Sequence, residues 1–457
     1  MSLPFIVPEA ARIAIFRNSI SSSTFQNIGS SALFCAIMLS ANALAADGPL
    51  TLARAQRLAV ARSHQISAQD DAVTASQEIA VAAGQLPDPV LKTAIENVPV
   101  NGAHAYSLTS EPMTMRRIGL SQDITSSDKR RLRAERYVRE ADKSLAEKNR
   151  MIAEIERNTA LAWLDRYYAE AMAAVIAELG LQSRNEMQAA DGAYRAGRGN
   201  QADVFAARSA IALFDDRASE IDLRVRNTKI MLARWIGETA QQPLADGPAI
   251  DVIPLDPLKL ETQLAQHPQI LVLSRLEDLA STEAQLADAD RSADWSVEVA
   301  YQQRGPAYAN MFSVGVSIAL QWDQKNRQDR QLRSKLALVA QVMDEREEAL
   351  RAIVAETRGM IDEWQNKRER VARYRTELVP YAGERTGAVL AAYRGGKSSL
   401  ADVLAARRNE IDVRLQALQL EADTARLWAQ LKFLFPTEQS ARHIPSQGPA
   451  MLTKDAK

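Results

Sequence analysis

The sequence predicts a mainly α protein with a small β part, written as two tandem repeats of long coiled-coil helices with two short strands in each. Three observations carry this. The stretch AYRAGRGNQADVFAAR, starting at Ala193, returns as AYRGGKSSLADVLAAR from Ala392, identical at ten of sixteen positions and offset by 199. Apolar residues recur in alternating steps of four and three, a spacing of about 3.5 residues that belongs to supercoiled helices. Other short segments alternate apolar and small polar residues with the period of two that a strand requires.

Composition narrows the class. The chain has 457 residues, 25% of them charged, with a formal net charge of −1. That balance excludes a strongly basic nucleic-acid binder. Aromatic residues are sparse at 5%, and abundant Ala, Gln, Arg, Glu and Leu favour long helices.

Residues 1–45 read as a signal peptide. Arg12 and Arg17 supply positive charge, residues 31–40 (SALFCAIMLS) a short apolar core, and Ala43-Leu44-Ala45 the small residues of a cleavage site. An uncleaved anchor is the alternative, although the apolar run is short for a membrane span. Cys35 is the only cysteine, and the bulky Phe34 before it argues against lipidation. Beyond the signal, no apolar run reaches the roughly 18 residues of a transmembrane helix. An exported chain of this kind is periplasmic, secreted or an outer-membrane barrel.

Residues 46–245 and 246–437 form the two repeats, and 438–457 a tail expected to be disordered. The junction, 241–257 (QQPLADGPAIDVIPLDP), is rich in proline and turn formers. Gln65-Ile66 corresponds to Gln269-Ile270, and Met115, Gly119 and Ser121 to Met311, Gly315 and Ser317. Each repeat opens with a helix, over 52–85 and 257–290. Strands follow at about 89–99 and 113–124 in the first copy, and at about 294–303 and 311–322 in the second. The clearest places Phe312, Val314, Val316, Ile318, Leu320 and Trp322 on one face, with Ser313, Gly315, Ser317, Ala319 and Gln321 on the other. Trp295, Val297, Val299 and Tyr301 share a face in the same way. Apolar outer faces with aromatic ends suit a membrane barrel, where the first set faces lipid. A soluble sheet packed on a helix fits the strands equally well.

The helices are less ordinary. A seam visits Leu336, Ala340, Met343, Leu350, Val354, Ile361, Trp364, Val371 and Leu378, and a shorter one Val138, Ala141, Leu145, Ile152, Ile155 and Ala162. A helix over 129–195 would be about 100 Å long. Pro380 should kink the second copy. If the strands lie in a membrane, their edges must be closed. Two chains would give eight strands and a barrel filled by side chains, so a pore needs three chains and twelve strands.

The doubled motif reads as two helix-to-helix turns. Gly197 and Gly396 sit where a left-handed C-cap is wanted. Asn200 and Ser399 are N-caps of the next helices, and Asp203 and Asp402 fall at N3 near their positive ends. No nucleophile–base pair, metal motif or phosphate loop is present, so no catalytic residue, metal site or cofactor is expected, and the chain is not read as an enzyme. The four histidines, at 64, 104, 267 and 443, have no ligand spacing.

The motif Y-x-x-G…D-V-x-x-A, present twice, resembles the TolC family of outer-membrane efflux channels, as do the tandem repeats, the paired strands and the long helices. Leu86-Pro87-Asp88-Pro89 and His267-Pro268-Gln269-Ile270 resemble further family stretches. The likeness covers essentially the whole mature chain. It implies a homotrimer with a twelve-stranded barrel in outer-membrane lipid and a helical tunnel in the periplasm, docked on a periplasmic adaptor and an inner-membrane RND-type pump. It also implies that Tyr194, Arg195, Gly197, Asn200 and Asp203, with Tyr393, Arg394, Gly396, Lys397, Ser399 and Asp402, form the periplasmic tip and adaptor contact. There Asp402 aligns with an acid of the constriction and Asp203 with one that bonds across protomers. The chain departs from the family latch at Ala405 and Ser398. Helix capping is an equal reading of both aspartates, and packing is the plainer reading of both tyrosines. Glu111 to Met115 (EPMTM), Ile118 to Gln122 and Lys129 to Arg131 resemble the heavy-metal, CusC- or CzcC-like branch, with Ser127-Asp128 replacing the usual P-G. A duct for organic compounds or for type I secretion is the alternative, and a periplasmic coiled-coil adaptor a further one.

Overall fold

A computed structural model describes residues 48–197 and 201–437. The expected signal peptide, the tail and Asn200 lie outside the described residues.

Each repeat opens with a broken helix rather than the single one expected. In the first, α1 (Leu52–Arg62) and α2 (His64–Ala83) are interrupted by Ser63, which adopts extended angles of φ −74° and ψ 112°. In the second, α5 (Leu260–Leu264) and α6 (Pro268–Ala289) are separated where Pro268 lacks an N–H. His267 caps α6, its Nδ1 accepting from Gln269 N–H at 3.3 Å.

Between these pairs run the long helices. The first, α3 (Ser127–Arg195, 69 residues), starts at Ser126, whose Oγ accepts from Lys129 N–H at 3.3 Å. At about 1.5 Å per residue it spans about 100 Å. α4 (Gln201–Ile236) returns along it and ends in a 3-10 turn, Gly237–Gln241. Arg166, fully buried on α3, holds that end: Nη1 donates to Ala240 O at 2.5 Å and Nη2 to Gln242 O at 2.9 Å. A cation there complements the helix dipole. The second copy is α7 (Gln328–Arg373), a π-helical turn (Tyr374–Leu378), α8 (Val379–Arg394) and α9 (Leu400–Lys432). Pro380 thus gives a widened turn just ahead of it, one of the usual ways a helix absorbs a proline.

The helices α2, α3, α6 and α7 pack side by side towards the sheet, and α3, α4, α7, α8 and α9 away from it. The two layers meet in the main core, where Trp163, Trp364 and Trp428 come from α3, α7 and α9. Trp163 Nε1–H donates to Leu50 O at 3.0 Å, and Trp428 Nε1–H to Val252 O at 2.9 Å. The first described strand-like residue and the repeat junction therefore cover the core and satisfy two buried indoles. On α7 the predicted seam is buried at Val354, Ile361, Trp364 and Val371, with Thr357 buried between them. Arg368, one turn beyond Trp364, stacks over its ring at 4.7 Å. Nearer the sheet the same seam is exposed at Leu336 and Met343. Among the described residues no helix is long and apolar enough to cross a membrane.

The four strands, β1 (Val90–Glu96), β2 (Met115–Ile124), β3 (Trp295–Gln303) and β4 (Met311–Ile318), form one antiparallel meander in the order β1-β2-β3-β4. The central pair, β2 with β3, joins the two repeats. β4 is shorter than its alternation predicts. Its last partner is Trp295, where β3 begins, so Leu320 and Trp322 lie beyond the ladder. β1 is likewise shorter than expected at both ends, and β2 begins at Met115. The helices leave from the Val90, Ile124, Trp295 and Ile318 end of the sheet, and the two hairpin loops occupy the other. A buried lysine secures the helix end: Lys129 Nζ donates to Ser292 O at 2.6 Å and pairs with Asp294 at 3.1 Å and Asp290 at 3.6 Å.

Candidate functional site

The repeated motif closes two helices in the same way. Gly197 has φ +71° and Gly396 φ +72°, the left-handed region where a Cβ would be strained. Gly197 N–H donates to Tyr194 O, and Gly396 N–H to Tyr393 O, both at 2.9 Å. In the second turn Lys397 N–H also donates to Ala392 O at 2.9 Å, completing the paired bonds of a Schellman C-cap. Arg195 pairs with Asp191 at 2.6 Å in the last turn of α3.

The second turn also builds a full N-cap. Asp402 N–H donates to Ser399 Oγ at 3.2 Å. In return Asp402 Oδ2 accepts from Ser399 Oγ at 2.7 Å and from Ser399 N–H and Ser398 Oγ at 3.0 Å each. This is a capping box with aspartate in the N3 place. The Ser399 hydroxyl, then the Ser399 N–H and the Ser398 hydroxyl, hold the Asp402 carboxyl below its ordinary range. Within the chain Asp402 therefore acts as a cap. Asp203 lies half-buried in the first turn of α4.

Both turns lie at one end of the helices, joined by a small core. Ala207 of α4 packs with Leu400, Val403 and Leu404 of α9, and Tyr393 and Leu390 of α8 lean against them. Tyr393 is thus a packing residue, whereas Tyr194 is exposed. Sequence reasoning missed the ion cluster just behind this core. Arg407 donates to Glu186 of α3 and to Glu410, both at 2.9 Å, and Arg414 reaches Glu410 at 2.6 Å. Arg407 closes the second copy of the motif. Its counterpart, Arg208, is exposed, so the repeat itself gave no signal of burial.

The sheet at the far end has two unlike faces. Register puts Ile118, Leu120 and Ile124 of β2 beside Tyr301, Val299 and Trp295 of β3. The same rows continue to Leu91 on β1 and to Phe312, Val314 and Ile318 on β4. The predicted outer-face residues Phe312, Val314, Val316 and Ile318 are all exposed, at 58–68%. From Trp295 to Tyr301 the apolar band runs about 20 Å along the strand. The opposite face is polar and internally paired. Lys92 Nζ meets Glu298 Oε2 at 2.8 Å, and Arg117 bridges Glu96 at 2.9 Å and Glu298 through its other nitrogen. Gln302 Nε2 donates to Ser313 Oγ at 2.8 Å beside them. Gly119 lets β2 and β3 close up, since a Cβ there would meet that of Ala300 at 3.0 Å and Val299 O at 3.2 Å.

Among the described residues no group of three or more His, Cys, Asp or Glu side chains could hold a metal ion. Met113, in the loop before β2, is exposed, and Met115 opens the polar face of that strand.

No family model matches the sequence, and no curated protein matches it. Solved structures do match. CusC, described for transmembrane channel formation, superposes with a TM-score of 0.71 at 14% identity, covering 84% of this chain and 92% of that one. The outer-membrane channel OprN gives 0.70 at 15% identity, covering 84% and 89%. The outer-membrane protein VceC from Vibrio cholerae gives 0.67 at 16% identity, covering 84% and 95%. At these identities the likeness is one of architecture. The chain has the fold of the TolC-family outer-membrane channels.

Proposed function

We propose that the chain is one protomer of a trimeric outer-membrane duct, the passive exit channel of a tripartite efflux system. An inner-membrane RND-type pump would load it through a periplasmic adaptor. The sheet's inverted amphipathicity carries this reading. A soluble sheet buries its apolar face, whereas among the described residues no helix packs broadly on this one. On the opposite face Lys92, Glu96, Arg117 and Glu298 pair with one another, as the lining of an aqueous lumen would. Among the described residues the outer edges of β1 and β4 have no ladder partner. Three copies would supply twelve strands and close the ring. The helical turns then form the periplasmic end, two per protomer, where Tyr194, Arg195, Gly197, Asn200, Asp203, Tyr393, Arg394, Gly396, Lys397, Ser399 and Asp402 meet the adaptor or frame the aperture.

Heat-modifiable migration, outer-membrane fractionation and conductance in planar bilayers test the duct. A soluble, non-conducting periplasmic protein would overturn it. Charge reversal at Asp203 and Asp402 together should alter conductance or adaptor docking while assembly persists. Unchanged efflux and conductance would leave both aspartates as helix caps only. Heavy-metal cations are the narrower proposal for cargo, supported by the likeness of residues 111–115 to that branch. A deletion strain exposed to metals, drugs and detergents separates this cargo from organic compounds.

A further inference from the structure

Arg116 and Arg117 are neighbours in sequence and serve opposite faces of the sheet. Arg117 is doubly paired with Glu96 and Glu298. Arg116 is exposed on the apolar face and, among the described residues, its side chain makes no ion pair or hydrogen bond. It is the only charged residue that the register places on that face.

Its position is specific. Its cross-strand neighbours are Ile95 and Gln303, one row beyond Ile118, Tyr301 and Phe312. That row is the aromatic limit of the apolar band on the side of the hairpin loops, away from the helices. A lone guanidinium in the middle of a lipid-facing surface is strongly disfavoured, whereas at the rim it extends to the headgroup level. Its planar fork matches a phosphate in two-point contact.

We infer that Arg116 is a binding site for the phosphate of an anionic glycolipid in the outer leaflet, with the acyl chains lying on the apolar band below it. This rests on the reading of the sheet as part of a membrane barrel. The loop end of the sheet then faces outward, and the phosphate comes from lipid rather than from solution, because the adjoining row of Tyr301 and Phe312 is apolar surface. Gln303 beside Arg116 adds a neutral donor for the same headgroup.

The full chain, as it assembles in detergent, can be titrated with diphosphoryl lipid A, with the same lipid stripped of phosphate, and with inorganic phosphate, and bound species counted by native mass spectrometry. Wild type should prefer the phosphorylated lipid by about tenfold, the order expected for one charge-assisted contact. R116Q should lose that preference and R116K retain part of it, with assembly checked by heat-modifiable migration. Inorganic phosphate should not compete. A tenfold preference that survives in R116Q overturns the site. Inorganic phosphate that binds through Arg116 as well as the lipid does overturns the lipid as its source. A wild-type chain that never enters the membrane overturns the barrel reading instead, and fractionation before titration tells the two failures apart.

Discussion

Arg407 of α9 reaches Glu186 of α3 at 2.9 Å, with both side chains about nine-tenths buried, and so ties the second repeat to the first just behind the two turns. Removing one member of such a pair strands the other away from water. Arg407→Met should therefore cost about 3–5 kcal/mol, and Arg407→Met with Glu186→Leu should cost less than Arg407→Met alone. Denaturant midpoints followed by helical circular dichroism measure both. Strictly additive losses would show that the pair is not coupled.

The cap at Ser399 and Asp402 gives a separate expectation. Ser399→Ala should weaken the start of α9 by about 1 kcal/mol. The Asp402 carboxyl lies below its ordinary range in the folded chain, chiefly through the Ser399 hydroxyl. Its stabilisation is thus present above the unfolded value, near 4, and fades as pH falls through the lower folded one. Protection of the amides in the first turn of α9, taken relative to their intrinsic exchange, should fall on acidification below about pH 4 in wild type. In Asp402→Asn that protection should be low at every pH.

His267 titrates in the opposite chemical sense with the same outcome in acid. Burial, then the charge of Arg157, lowers it to about 4. The folded chain therefore resists protonation, and the stability held above pH 6.5 declines as pH falls from there through 4. With its partial exposure the loss is on the order of 2 kcal/mol. His267→Gln should flatten the pH dependence of the melting temperature across that interval, and an unchanged slope would count against a role for this histidine.

Pro380→Ala should let the π-helical turn at Tyr374–Leu378 return to α geometry, because it restores an N–H and removes the ring. The added rotation would misalign Arg375, which donates to Glu421 at 2.8 Å. A structure of the variant with the widened turn intact would show that the proline does not cause it.

The turns were legible in the sequence because capping is local: glycine, serine and aspartate at fixed offsets suffice to state the geometry. The long helices were legible from the spacing of their seams. Strand ends were not, because a ladder stops where its partner stops; β3 begins at Trp295 whatever the alternation through Trp322 implies. The break at Pro268 could be read from His267-Pro268, but nothing about Ser63 announces its extended backbone. Arg208 and Arg407 are the same residue of the same motif, and only the packing of α3 against α9 decides that one is buried. The roles of Arg116 and Arg117 became distinct only once register assigned them to opposite faces.

The unpartnered edges of β1 and β4 bear on how the molecule is made. A lone chain would present two sticky strand borders together with a bare apolar surface, which is the usual recipe for misassociation. Such a protomer has little reason to persist by itself. If three copies close a ring in the membrane as proposed, biogenesis should be concentration-dependent, with ring closure and membrane entry as one event, and stability inseparable from the number of copies present.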